Sequence, residues 1–388
     1  MTLPEKPKLS SVRLSLLDLT VWGVAALLVG ALVVLAGLSD PARRGAEVAY
    51  LYPAYGGTQN VWMAPLANPA EAVQLTEEKG GIYNFDVSAD GRFIVYSARD
   101  INTGFNDLFL LDLQTRRAQI LTNCAAENAD CRTPAIKPDG KVVAYERMGY
   151  TAPANGVPGG AGAIRIWLLD LTKQPYTTRP LTDDAQFVGH SPQWAQSGDT
   201  LAFYSADIAN PGIMVYNFVP RDGEKSLKFI PANNGVVGSI SPNGRKLAFP
   251  DIVTSAAGYG TVLKLADLDA LEFNALTPEN EPAEDTAAAW HPDGQRIAIG
   301  RKYSDNRHTP GFQIYLYTPQ TGDLQPLAYD KRYSHGFFQW NNTGDKLLYQ
   351  RFALNDPDAK PEVGVRDLAT GENSVIITNA FAPRWVLP

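Results

Sequence analysis

The chain has little of what catalytic centres are assembled from. Its 388 residues include two cysteines and four histidines, and no Gly-x-Ser-x-Gly elbow, His-Glu-x-x-His pair or phosphate-binding glycine loop occurs in it. The motif-level routes to acyl transfer, zinc hydrolysis and nucleotide binding are therefore missing. Charge is also sparse, at 19% of residues, and it leans acidic, with 34 Lys and Arg against 41 Asp and Glu. The first 44 residues hold five basic and three acidic groups, which leaves 29 against 38 in the remainder, a net of −9 with histidine neutral. A surface of that sign disfavours nucleic acid and anionic lipid as general partners, because both need a basic face.

What the chain does have is turns, with 33 Gly and 28 Pro, and a phrase that returns seven times from Val48 onward. Each copy reads as a strand, an Asp-Gly-like turn, a β-branched or aromatic strand, a loop, a strand ending near Asp-Leu, and a closing Leu-Thr. The clearest turns are Val87-Ser-Ala-Asp-Gly-Arg, Ile136-Lys-Pro-Asp-Gly-Lys, Ile240-Ser-Pro-Asn-Gly-Arg and Trp290-His-Pro-Asp-Gly-Gln, with weaker copies after Trp194 and Trp340. The Asp-Gly pair is expected to supply the positive-φ residues of a tight hairpin. Leu-Thr or Ile-Thr recurs at Leu75, Leu121, Leu181, Leu276 and Ile377. A spacing of about 40 to 55 residues is that of a four-stranded propeller blade, so the fold class is all-β, a seven-bladed β-propeller over residues 47–388.

The first unit lacks an opening strand, since Glu47-Val-Ala-Tyr-Leu-Tyr already matches a second strand. Ala382-Pro-Arg-Trp-Val386 matches the opening strand of the other units, such as Ser191-Pro-Gln-Trp194. The C-terminal strand is therefore expected to complete the first blade and leave no free edge. Trp194, Trp290, Trp340 and Trp385 are expected to pack between blades.

The pattern of Trp, Ser-Pro-Asp-Gly, Ile-Ala-Phe and Asp-Leu resembles the TolB-type, WD-repeat-like propeller family over roughly Val48 to Val386. That resemblance implies a propeller, and a role among the family's binding and assembly proteins or the non-catalytic domains of its peptidases. The well-known periplasmic member has six blades and an extra domain, neither of which matches this chain.

Leu19 to Leu38 is a run of 20 residues without a charge, long enough to cross about 30 Å of hydrocarbon as a helix. It is read as an uncleaved transmembrane anchor (19–38) between a cytoplasmic tail (1–18) and a linker (39–46). Val34-Leu-Ala36 offers a cleaved signal as the alternative. Lys6, Lys8 and Arg13 before the run against Arg43 and Arg44 after it favour a cytoplasmic N-terminus. Cys124 and Cys131 share one polar loop between the second and third units. A disulfide there would brace the loop and place the propeller outside the cytoplasm, with a metal site as the rival reading.

Loops joining second to third strands, and one blade to the next, leave a propeller on one face. The long segments 124–131, 148–163, 251–260, 302–311 and 352–361 all fall there, where binding sites concentrate. The same position of successive second strands holds Tyr52, Ala98, Arg147, Ser205, Asp251, Arg301 and Arg351. Arg147, Arg301 and Arg351, with Arg132, His190 and His335 nearby, would make a basic patch suited to a carboxylate or phosphate ligand. The competing reading pairs each arginine with an acid of an adjacent blade, Glu146, Asp207 and Asp285 being candidates. His291 takes the Ser position of a turn. No cofactor is implied. His190 and His335 lack a suitably placed carboxylate for a metal, and calcium at Asp100 and Asp107 would lack the ligand density of an EF-hand loop.

The reading is a membrane-anchored, extracytoplasmic, non-enzymatic propeller that binds a protein partner or cell-envelope component as a scaffold or assembly factor. A small-ligand or glycan-binding module, or a hydrolase or lyase using the axial face, is the alternative.

Overall fold

A computed structural model describes residues 45–151, 159–183, 188–255, 258–279 and 281–386. The Leu19–Leu38 run and its flanks lie outside the described residues, among which no helix is long and apolar enough to cross a membrane. The propeller region forms seven four-stranded antiparallel sheets. Six blades are contiguous in sequence. The first is not: its innermost strand is Phe381–Val386, which pairs with Glu47–Tyr52 so that Val48 lies opposite Trp385. The ring is closed by strand pairing, as the repeat count requires.

Second and third strands are buried on both sides, which explains their nearly continuous apolar runs. Alternate residues belong to different interfaces. In blade 1, Ala49 and Leu51 pack against Ile94 and Tyr96 of blade 2, while Val48 and Tyr50 pack against Leu348 and Val363 of blade 7. Seven apolar clusters of this kind fill the seven gaps between blades.

The turn and closing motifs have specific work. In blade 2, Ser88 Oγ accepts from Phe93 N (2.8 Å) and donates to Asp90 Oδ1 (2.6 Å), which in turn accepts from Arg92 N (3.0 Å). Only the glycine of each turn takes positive φ, from 62° at Gly91 to 76° at Gly198 and Gly344. The preceding Asp or Asn does not, contrary to expectation: its side chain fastens the turn instead, as in longer hairpins built on a type I turn. The closing Thr is a clasp. Thr76, Thr122 and Thr277 hydroxyls accept from Val61, Leu108 and Leu263 N at 2.9, 2.9 and 3.2 Å, and donate to Asn60, Asp107 and Asp285. Each fastens a third strand to the crossover leaving the blade.

Tryptophans link blades by hydrogen bond as well as by packing. Trp194, Trp340 and Trp385 donate Nε1–H to the carbonyls of Ala135, Ala289 and Gln339 in the preceding blade's first strand, at 3.0, 3.1 and 3.0 Å. The first strands themselves are bulged. Thr133, Ser191, Phe337 and Ala382 have φ of 48° to 57° where the ladders shift register. Two of these left-handed residues are held by the blade before: Ser191 N donates to Glu146 (2.7 Å) and Ala382 N to Gln350 (3.4 Å).

Two expectations about loops change. Residues 251–260 are not a loop: Lys246–Ser255 and Gly258–Asp267 run on as paired strands to Ser255 opposite Gly258, because the β-rich Ile252-Val-Thr continues the ladder opposite Thr261, Gly260 and Tyr259. Segment 148–163 is strand only at its two ends, where Val142–Tyr150 stops and Ala161–Asp170 starts, on either side of residues outside the described set. Cys124 and Cys131 are joined, with Cα atoms 6.0 Å apart, but both are buried in the cluster between blades 2 and 3 with Leu108 and Tyr145 rather than exposed.

Candidate functional site

The loop face is where the fold leaves side chains free of the ladder. The aligned second-strand arginines are present on it, yet each is engaged within its own blade. Arg301 makes two bonds to Asp285 (2.7 and 2.9 Å) and one to Glu281 (3.0 Å). Arg351 bonds Glu362 at 2.6 Å and lies 4.0 Å over the Tyr333 ring. Arg147 bonds Glu127 at 2.7 Å and stacks 4.7 Å over Trp167. The acids come from the same blade, not the adjacent one, because antiparallel register sets Arg301 opposite Asp285 and Arg351 opposite Glu362. Glu146 holds the Ser191 bulge and Asp207 fastens its own loop through Ala209 N (2.8 Å). Asp285 is doubly committed, since it also receives the Thr277 hydroxyl.

The histidines are occupied as well. His335 is buried beside Tyr349, its Nδ1 is 3.1 Å from Phe312 O, and burial pushes its pKa down to about 4. It is neutral at physiological pH and hydrogen-bonded to backbone, unlike the general acid–base of a catalytic site. His190 meets Ser191 Oγ at 3.0 Å, in blade 4, while His335 is in blade 7. His291 is a turn residue, as its sequence position implied, and it also reaches the next blade's turn at Gly344 O (2.9 Å). The two acids considered for calcium are spent on local structure. Asp100 accepts from Asn102 N and Thr103 N, and Asp107 from the Thr122 hydroxyl and the amides of Cys124 and Ala125. Among the described residues no group of three His, Cys, Asp or Glu is arranged to hold a metal.

Arg132 is placed differently. Asp130 takes an ion pair from its guanidinium, the Tyr83 ring lies 4.8 Å beneath it, and its Nε is buried without a partner. It borders a cleft of about 480 Å³ that also includes Gln59, Gly80, Gly81, Tyr83, Gly104 and Arg99. Arg99 was not singled out from the sequence. It follows Ala98, the aligned position, so a comparison of one register column passes over it.

No family model and no curated protein matches the sequence. Solved structures do. A puromycin-hydrolyzing peptidase from Mycobacterium tuberculosis has a TM-score of 0.58 at 18% identity, over 88% of this chain and 55% of that one. The β-propeller domain of the Trilobed protease from Pyrococcus furiosus scores 0.58 at 13% identity, over 86% and 95%. TolB from Acinetobacter baumannii scores 0.49 at 15% identity, over 88% and 67%. The Trilobed domain is described as having an open velcro topology, whereas here the first and last strands pair. At these identities the likeness is one of fold: the chain carries a β-propeller, of seven blades.

Proposed function

We propose that this protein is a membrane-anchored propeller, held outside the cytoplasm, that recognises a protein partner through its loop face and serves as a scaffold or assembly factor in the cell envelope. One observation carries the reading: exposed large apolar side chains recur on the loops of that face in several blades. Ile208 is fully exposed, Tyr259 is 84% and Ile101 66% exposed, all at second-to-third-strand connections, and Tyr55, Tyr329 and Leu354 accompany them. The short-turn face has Val219 and Leu271. Apolar groups of this size, ringed by polar loops on a rigid ring, are the composition of a docking surface. The uncharged Leu19–Leu38 run supports the anchor, and the Cys124–Cys131 pair supports an oxidising compartment. The engagement of His335, Arg301 and Arg351 in structural contacts supports binding over catalysis.

The test is purification of the full-length protein from detergent-solubilised membranes. Wild type is expected to retain a stoichiometric partner, and a variant with Ile101→Asp, Ile208→Asp and Tyr259→Asp to lose it. Ile120→Asp, on an outer strand, serves as the control. Retention by the triple variant, or equal loss from the control, would overturn the docking face.

A further inference from the structure

We propose that the cleft where the loop faces of blades 1, 2 and 3 meet binds a small ring-bearing ligand through its carboxylate or phosphate group. Tyr55 and Ile101 of the protein-docking reading stand on the same loops as the lining residues Gly57 and Gly104, but the site does not rest on that reading.

Its lining contains two arginines, Arg99 and Arg132, and no carboxylate, in a domain whose net charge is negative. Among the described residues the Arg99 guanidinium has no hydrogen-bond or ion-pair partner, whereas Arg301, Arg351 and Arg147 on the same face each hold an acid. An arginine left unpaired at the wall of a cleft keeps its planar set of donors for an oxyanion.

The surroundings hold the backbone of that exposed arginine. Gly80 passes so close that an added Cβ would lie 2.0 Å from Arg99 O, and Arg99 N donates to Gly81 O at 3.1 Å. The side chain then runs beside Gly104, whose φ is +78° and whose added Cβ would be 3.4 Å from Arg99 Nη2. Glycine at these positions lets the backbone approach and leaves the cleft open.

The opposite wall is flat, built from the Arg132 guanidinium, which is ion-paired to Asp130, and the Tyr83 ring. Asp130 takes both the backbone N–H and the side-chain amide of Asn106, at 2.9 and 2.8 Å, and its second oxygen pairs with Arg132. That arrangement presses the Arg132 guanidinium onto the half-exposed Tyr83 ring while leaving its Nε unpartnered. A ring of the ligand stacks against the Tyr83 and Arg132 wall, and its anionic group reaches Arg99. A volume of about 480 Å³ suits a ligand of one or two rings rather than a polymer.

The experiment is calorimetric titration of the full-length protein with benzoate, phenyl phosphate and the neutral isostere benzamide. Either anion is expected to bind, with affinity falling as salt is raised, and benzamide is not. Whichever anion binds identifies a carboxylate or a phosphate as the group recognised. Arg99→Gln is expected to weaken binding about ten- to a hundredfold, the range for losing a charged hydrogen bond, without changing the melting transition, since among the described residues the guanidinium makes no hydrogen bond or ion pair. Arg99→Lys should recover part of the affinity, because it keeps the charge without the planar fork. Arg92→Gln, at the short-turn face, should bind as wild type. Benzamide binding as tightly as the acids, undiminished binding by Arg99→Gln, or no binding of either anion up to about 10 mM would each overturn the site.

Discussion

The buried imidazole of His335 ties stability to pH in a way that can be worked through. The unfolded chain takes up a proton on this residue near the ordinary value of 6.5, whereas the folded protein resists until about 4, chiefly because burial disfavours the charged ring and secondarily because Arg351 lies beside it. Phe312 O and Asp330 oppose the shift without cancelling it. Between those two values the unfolded state binds more protons, so stability falls as pH falls. The loss is absent above about pH 7 and complete near pH 4. At 1.36 kcal/mol per pH unit it amounts to about 3 kcal/mol, and with an unfolding entropy of about 2.1 cal/mol/K per residue that is a drop of about 4–5 °C in melting temperature. Other groups titrate in the window, and buried Asp86, whose pKa burial raises, contributes with the opposite sign. The informative quantity is therefore the difference between wild type and His335→Gln. Urea unfolding at intervals from pH 7 to pH 4 should show wild type losing about 3 kcal/mol more than the variant. The imidazole resonance of His335 should titrate well below those of exposed histidines. Parallel stability curves, or a resonance titrating near 6.5, would refute the reasoning.

Removing residues 382–388 takes away the strand that pairs with Glu47–Tyr52 and should cost more than about 4 kcal/mol; an unchanged melting transition would refute closure by that strand. Trp340→Phe should cost about 1–3 kcal/mol more than Trp290→Phe, because Trp340 donates to Ala289 O while the buried Trp290 Nε1 has no partner, and equal melting shifts would count against the inter-blade bond. Reducing the Cys124–Cys131 bridge, which spans seven positions, should cost about 2.5 kcal/mol by loop entropy. Because the sulfurs are buried, the loosening should reach the contact between blades 2 and 3, seen as faster amide exchange at Leu108 and Val143. Unreduced, denatured native protein should label no free thiol, and labelling at both cysteines would refute the pairing.

The ring was legible because its signals repeat. Gly91, Gly140, Gly244 and Gly294 mark the same turn, and a strand resembling Ser191–Trp194 at Ala382–Trp385 announced the closure. The site was less so. Aligning second strands finds Arg301 and Arg351, and Asp285 is among the acids the sequence offers, but in an adjacent blade; that Asp285 and Glu362 meet the arginines within one blade follows from register between strands, which no single motif encodes. Arg99 escapes for a related reason: its significance comes from the lack, among the described residues, of an ion pair to its guanidinium, and a missing contact leaves no mark in sequence. The turn aspartates were assigned a backbone role when their side chains do the fastening. The strands through Ile252 and Tyr259 read as a loop in the sequence because glycine and alanine between them mimic one.

The pairing that closes the ring also sets a timetable. Asn379 accepts from Tyr55 N across 324 residues, so blade 1 cannot acquire its last neighbours until nearly the whole propeller has been synthesised. At translation rates of about 5–20 residues per second, the strand Glu47–Tyr52 waits roughly 15 to 65 s with an unpaired edge. For that interval the nascent chain offers a template to which another strand can add. If the protein is exported, a chaperone that covers this edge, or partner binding that follows only after closure, would separate finished rings from unfinished ones.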